Sequence, residues 1–130
     1  MSNHVQWDPL FDVANEVLNE QRKAILAQCN ALSDCADSPA QDAEQRFRAT
    51  LDALRSSARE HFATELAIFS SATYPGQDAY RMVKDEFEYL ASDIITTDNF
   101  GMHEIQRFVA LWWVGHLIDS ARMLQALDSQ

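Results

Sequence analysis

The chain has 130 residues, only three glycines and three prolines, and a formal charge of −10. A single domain of this length buries roughly two-thirds of its unfolded surface, and such scarcity of glycine and proline disfavours an all-β fold and favours long helices. The acidic balance, with its lysines and arginines dispersed, argues against nucleic acid and anionic membrane surfaces as partners, and no apolar run approaches membrane-spanning length.

In chain order, residues 1–11 read as an extended N-terminal arm, with Trp7 its large apolar group and Pro9 a break. From about 12 to 32, Val13, Val17, Leu18, Ile25, Leu26, Cys29 and Leu32 recur at helical spacing. The stretch from Ser33 to Pro39 reads as a loop holding Cys35, and Ser38-Pro39 as a helix opening with serine as cap and proline at the first helical position. A second helix is expected over about 40–71, with Phe47, Leu51, Leu54, Ala58, His61, Phe62, Glu65 and Phe69 inward. Thr73-Tyr74-Pro75-Gly76 signals a turn. A third helix is expected over about 77–95, with Tyr80, Val83, Lys84, Phe87, Leu90 and Ile94 on one stripe, ending at Thr97-Asp98-Asn99. The last covers about 102–127, with Ile105, Val109, Trp112, His116 and Met123 inward. Four amphipathic helices on short loops predict an all-α, antiparallel up-down bundle.

The inward stripe of every helix carries a polar side chain near its middle: Arg22, then His61 and Glu65, then Tyr80 and Lys84, then His116. His61 and Glu65 are four residues apart, so they share one helix face. In an antiparallel bundle these positions converge at one level, where histidine and carboxylate side chains are the usual makings of a metal site. Arg22 and Lys84 also have the reach to carry their charges to the surface instead. Of the rest, Cys29 reads as core and Cys35 as an exposed thiol. His4 and His103 read as solvated, Trp112 as the core residue of the tryptophan pair, and Asp119 as a partner for the His116 ring.

The chain resembles the bacterial hemerythrins over nearly its full length. The resemblance is carried by Trp7 through Val13 with Leu18, Glu20, Gln21 and Asn30; by His61-Phe62 with Glu65 and then Tyr74-Pro75; and by Phe87 and Leu111-Trp112 with His116-Leu117. It implies a hemerythrin-like bundle whose centre, in the family, is a di-iron oxygen-binding site of five histidines and two bridging carboxylates. Residue by residue, it places His61, Glu65 and His116 at ligand positions. It also places Arg22 where a first-helix histidine belongs, Tyr80 and Lys84 at a third-helix histidine pair, and Ala121 at the second carboxylate. Arginine does not deprotonate to become a ligand, and a lysine must first lose a proton.

The expectation is therefore a degenerate hemerythrin-like protein without a conventional di-iron centre, a binding or regulatory module with no cofactor. A Glu65–Arg22/Lys84 ion cluster, ringed by Tyr80, His61 and His116, would stand in place of the metals. The alternatives are a single iron or zinc on His61, Glu65 and His116, a haem, or residual oxygen or nitric oxide binding. No Ser-His-Asp or Cys-His arrangement, glycine-rich phosphate loop, CxxC or HExxH motif is present, so an enzyme is not expected. A protein partner or small ligand, with self-association possible, and a cytoplasmic location are expected. The location follows from a polar N-terminus without a leader pattern and from only two cysteines.

Overall fold

The computed structural model describes residues 4–96 and 101–128, and every regular element among them is helical. A short 3-10 turn, Pro9–Phe11, precedes α1 (Glu16–Asp37), α2 (Ala43–Ser71), α3 (Gln77–Thr96) and α4 (Met102–Asp128). The connections are a few residues long, far too short to return along helices of about 30–45 Å, so consecutive helices must run antiparallel. α1 packs between α2 and α4, and α3 lies against α2. The expected four-helix bundle is the observed one. The break at Thr97-Asp98-Asn99 lies outside the described residues.

Three helix ends differ from expectation. α1 begins at Glu16 because Asn15 is its cap, accepting from the Leu18 N–H at 3.1 Å. Val13 is buried but precedes the helix, clasped by Asn19, which accepts from the Val13 N–H at 3.0 Å and donates to its carbonyl at 2.8 Å. At the other end α1 runs on to Asp37, so Cys35 is helical and half-buried rather than in a loop. The apolar spacing continues there in small residues, Ser33 and Ala36, both buried. Ser38 therefore closes α1, its N–H donating to the Cys35 carbonyl at 3.2 Å, and Pro39 follows a helix end instead of opening one. α2 starts at Ala43 with Asp42 as its N-cap residue.

At the α2–α3 turn, Thr73 has φ 54° and the Tyr74 N–H donates to the Phe69 carbonyl at 2.9 Å. The Tyr74 ring lies so close over Gly76 that a Cβ there would overlap it. Any larger residue at 76 would have to displace that ring.

Phe62 is the hub of the core. Its ring stacks on Trp113 at 5.5 Å and meets Phe87, Tyr80 and His116 edge-on or tilted at 5.2–6.1 Å. Trp113, not Trp112, is the fully buried tryptophan. It falls on the inward row of α4 that includes Gln106, Val109, Leu117 and Ser120. Trp112 sits at the boundary with α3, stacks on His116 at 5.4 Å, and donates its indole N–H to Glu86 at 3.1 Å. The half-buried Trp112 indole thus has a polar outlet, whereas Nε1 of the fully buried Trp113 has no hydrogen-bond partner. Val17, expected inward, is 60% exposed, since α1 turns Leu18 rather than its neighbour to the core.

Truncating Phe62 to alanine should cost about 3–5 kcal/mol by urea denaturation, whereas Val17→Ala should stay within about 0.5 kcal/mol.

Candidate functional site

The centre of the bundle is built around one carboxylate. α2 places His61 and Glu65 one turn apart on its inward face, both fully buried. From α1, Arg22, also fully buried, donates through Nη2 to Glu65 Oε2 at 3.0 Å. From α3, the Tyr80 hydroxyl donates to Oε1. From α4, His116 Nε2 lies 3.3 Å from Oε1. Both carboxylate oxygens are thus engaged, by groups from every other helix.

Arg22 is held as firmly as it holds. Its Nη1 donates to the Leu117 carbonyl at 2.9 Å and to the Phe11 carbonyl at 3.2 Å, and its Nη2 also donates to Ser120 Oγ. Nε has no hydrogen-bond partner. The guanidinium therefore joins the arm, α1, α2 and α4 at a single point, which its fork of donors allows and an ammonium would not.

His61 is set differently. Its Nδ1 lies 3.2 Å from Gln21 Oε1, while Gln21 Nε2 donates to Thr64 Oγ1 at 3.0 Å and the Thr64 hydroxyl donates to the Glu60 carbonyl at 3.0 Å. This chain of donors assigns the neutral ring's proton to Nδ1 and leaves the lone pair on Nε2. That Nε2 lies 3.0 Å from Glu65 Oε1 yet makes no aligned hydrogen bond. Among the described residues, His61, Glu65 and His116 form a group able to hold a metal ion, their ligand atoms all within 4.8 Å of one another.

The electrostatics follow from this packing. Burial pushes the Glu65 carboxyl up, but the opposing interactions, led by the hydrogen bond from His116, outweigh it and hold the group well below the usual carboxylate range. Burial lowers His116, opposed by its bond to Glu65 and reinforced by His61 and Arg22, so the ring favours its neutral form. Burial and the Glu65 charge raise Tyr80, which stays a phenol. Away from the centre, burial pushes the Cys29 thiol up to about 12.

A groove of about 330 Å³ opens between α3 and α4 and reaches this network, lined by Tyr80, Val83, Glu86, Trp112, His116 and Ser120 among others. The remaining sequence-level candidates fall outside the centre. Lys84 is half-buried and makes no ion pair with Glu65. The expected Glu65–Arg22/Lys84 cluster is a Glu65–Arg22 pair, because Arg22 takes one carboxylate oxygen and Tyr80, one turn before Lys84, takes the other. Asp119 is exposed on the groove wall, and the His116 ring is turned to Glu65 instead. Ala121 is buried beside Val13 and Leu18. His4 and His103 are exposed and bonded to Asp34 and Asp37 at 2.7 and 2.9 Å. Sequence reasoning missed Ser120 and the orienting role of Gln21. The only signal for Ser120 was a hydroxyl one turn past His116 on the same face.

No family model matches the chain. It is 30% identical over 111 residues to a hemerythrin-like protein of Naegleria gruberi, covering 85% of this chain and 82% of that one. The chain belongs to the hemerythrin-like family. The hemerythrin-like protein of Naegleria fowleri matches to the same extent. A myohemerythrin of Theromyzon tessulatum is 29% identical over 82 residues, covering 63% of this chain and 61% of that one. These hemerythrin relatives are eukaryotic and lend no support to a bacterial source. No helix among the described residues is long and apolar enough to cross a membrane.

Two predictions test the network. Removing one member of a buried ion pair strands the other, so Arg22→Met and Glu65→Gln should each cost about 3–5 kcal/mol. The double variant should cost less than the sum, with a coupling on the order of 2 kcal/mol in a denaturation cycle.

The second is a pH dependence. His116, lowered on folding, lets the unfolded chain take a proton first, so stability falls as pH drops below the ordinary histidine pKa of about 6.5. Glu65, also lowered, contributes stability that is complete above the ordinary carboxylate pKa of about 4.3 and is lost as pH falls through its folded value. Urea midpoints measured from neutral pH downward should decline in two stages, and Glu65→Gln should abolish part of the lower one.

Proposed function

We propose that this hemerythrin-like chain is a binding or regulatory module, not an enzyme, in which the Arg22–Glu65 pair stands where the family carries its dinuclear iron centre. The observation that carries this reading is the guanidinium on Glu65 Oε2, fixed by Ser120 and the Leu117 and Phe11 carbonyls. A permanent cation saturates the carboxylate oxygen that a second metal would need, and it cannot titrate away to make room. The donor set points the same way: the group able to hold a metal among the described residues has three members, whereas the family's centre draws on seven. Tyr80 supplies a phenol held protonated, not a ligand base. A dinuclear site does not fit these residues.

A second reading rests on His61. An Nε2 lone pair 3.0 Å from a carboxylate oxygen, with Nδ1 tied to Gln21, is the arrangement of a metal-ligating histidine with its orienting partner. His61, Glu65 Oε1 and His116 would then hold one zinc or iron, which would supply Lewis-acid chemistry beside the α3–α4 groove. The guanidinium across the same carboxylate opposes that cation.

Metal content by mass spectrometry, on protein grown with added iron and zinc, separates the readings when paired with a visible spectrum. The expected result is a colourless protein with no stoichiometric metal. Two irons per chain with a charge-transfer band would overturn the proposal. One metal per chain, lost in His61→Ala, would establish the mononuclear reading.

A further inference from the structure

The outward face of α4 carries a pattern that the described part of the bundle uses only in part, through Ile118 and the inner edge of Phe108. Glu104, Phe108, Leu111, Gly115, Ile118 and Arg122 recur at alternating steps of four and three, the spacing of a coiled-coil seam. Leu111 is 72% and Phe108 47% exposed, Ile118 is half-buried, and Glu104, Gly115 and Arg122 are exposed. Leu111 stands as a ridge between two grooves, about 330 Å³ on the α3 side and about 370 Å³ on the side of the arm. Gly115 lies in mid-helix, among the residues least suited to that position, and a Cβ there would meet nothing within 4 Å. The chain's own packing gives no reason for this glycine.

We propose that this face is where a second copy of the chain docks, through an antiparallel, two-fold symmetric α4–α4 contact. The seam is self-complementary in that orientation and in no other. A two-fold axis at the level of position 113 sets Glu104 against the partner's Arg122, Phe108 against the partner's Ile118, and Leu111 against the partner's Gly115. Each core layer then has one large and one smaller side, with Leu111 seated in the hollow over glycine. A parallel pairing would instead oppose Glu104 to Glu104 and Arg122 to Arg122, and would leave glycine facing glycine. Charge permits the approach as well. The chain carries −10, yet its segment 104–122 has two acidic residues, Glu104 and Asp119, and two basic ones, Arg107 and Arg122. Two copies meeting there bring together locally neutral surfaces, while the acidic remainder stays apart. The contact is isologous, as a closed dimer requires.

Sedimentation velocity and light scattering on the full chain test this, with far-UV circular dichroism as the control for folding. The wild type is expected to dimerise at micromolar concentration. Leu111→Glu is expected to give a folded monomer, because the side chain it replaces is largely exposed. Glu104→Arg alone and Arg122→Glu alone should each weaken the dimer about tenfold or more, since symmetry makes every reversal act twice. The double reversal should restore it. A wild type that stays monomeric overturns the proposal, and so does a dimer that survives Leu111→Glu. Failure of the double reversal to recover affinity overturns the antiparallel register.

Discussion

The buried pair between Arg22 and Glu65 is the constraint on which the rest of the bundle depends. Taking a guanidinium and a carboxylate out of water costs several kcal/mol per ion even after relaxation. That cost is tolerable only when nearly every donor and lone pair finds a partner. Here the partners come from everywhere: the arm through the Phe11 carbonyl, α4 through Leu117, Ser120 and His116, and α3 through Tyr80. A one-residue shift of α1 or α2 would break the ion pair, and one of α3 or α4 would take a hydrogen-bond partner from it. The pair adds little net stability, but it penalises wrong registers that a greasy core would accept. The aromatic packing of Phe62, Phe69, Trp113 and Tyr80 around it supplies the favourable burial.

The same geometry holds an unresolved competition over Glu65. Oε2 belongs to a cation that never leaves, while Oε1 is shared by a phenol, His116, and the unbonded Nε2 of His61. A lone pair set 3.0 Å from a carboxylate oxygen is repulsive unless a proton or a cation sits between them. On the arginine side only Nε lacks a partner, whereas the histidine side is one positive charge short. That asymmetry is why a dinuclear centre and a mononuclear one are different questions for this chain. The first is opposed by a fixed charge on Oε2, and the second by that charge's repulsion and by the groups already bonded to Oε1.

The fold was legible in the sequence because the apolar period was. Every α2 residue expected to face inward is buried, including His61 and Glu65. The helix ends were less legible, because caps compete. Ser38-Pro39 suits a helix start as well as the residues after a helix end, and only the burial of Ser33 and Ala36 decides for the latter. Adjacent tryptophans were ambiguous for a related reason: a residue's side of the stripe depends on a phase that Gln106 and Ser120, both polar and both buried, obscure. At the centre, the convergence of Arg22, Glu65, Tyr80 and His116 followed from the register. Lys84 did not converge, because once a carboxylate is saturated a flexible ammonium on the same helix does better half in solvent.

α4 shows how one helix can serve two faces with separate logic. Its inward row gives His116, Ser120 and the Leu117 carbonyl to the network, all fixed by burial. Among the described residues its outward row is engaged only in part, through Ile118, and the leucine, glycine and opposed terminal charges there are accounted for by the proposed dimer. The two faces meet at the α3–α4 groove, whose wall includes Leu111 and Gly115 from the seam and His116 from the centre. A second copy seated on the seam would narrow the mouth of that groove. Self-association and access of a small molecule to His116 are then competing uses of the same surface, coupled through the mouth of the groove without any rearrangement of the core.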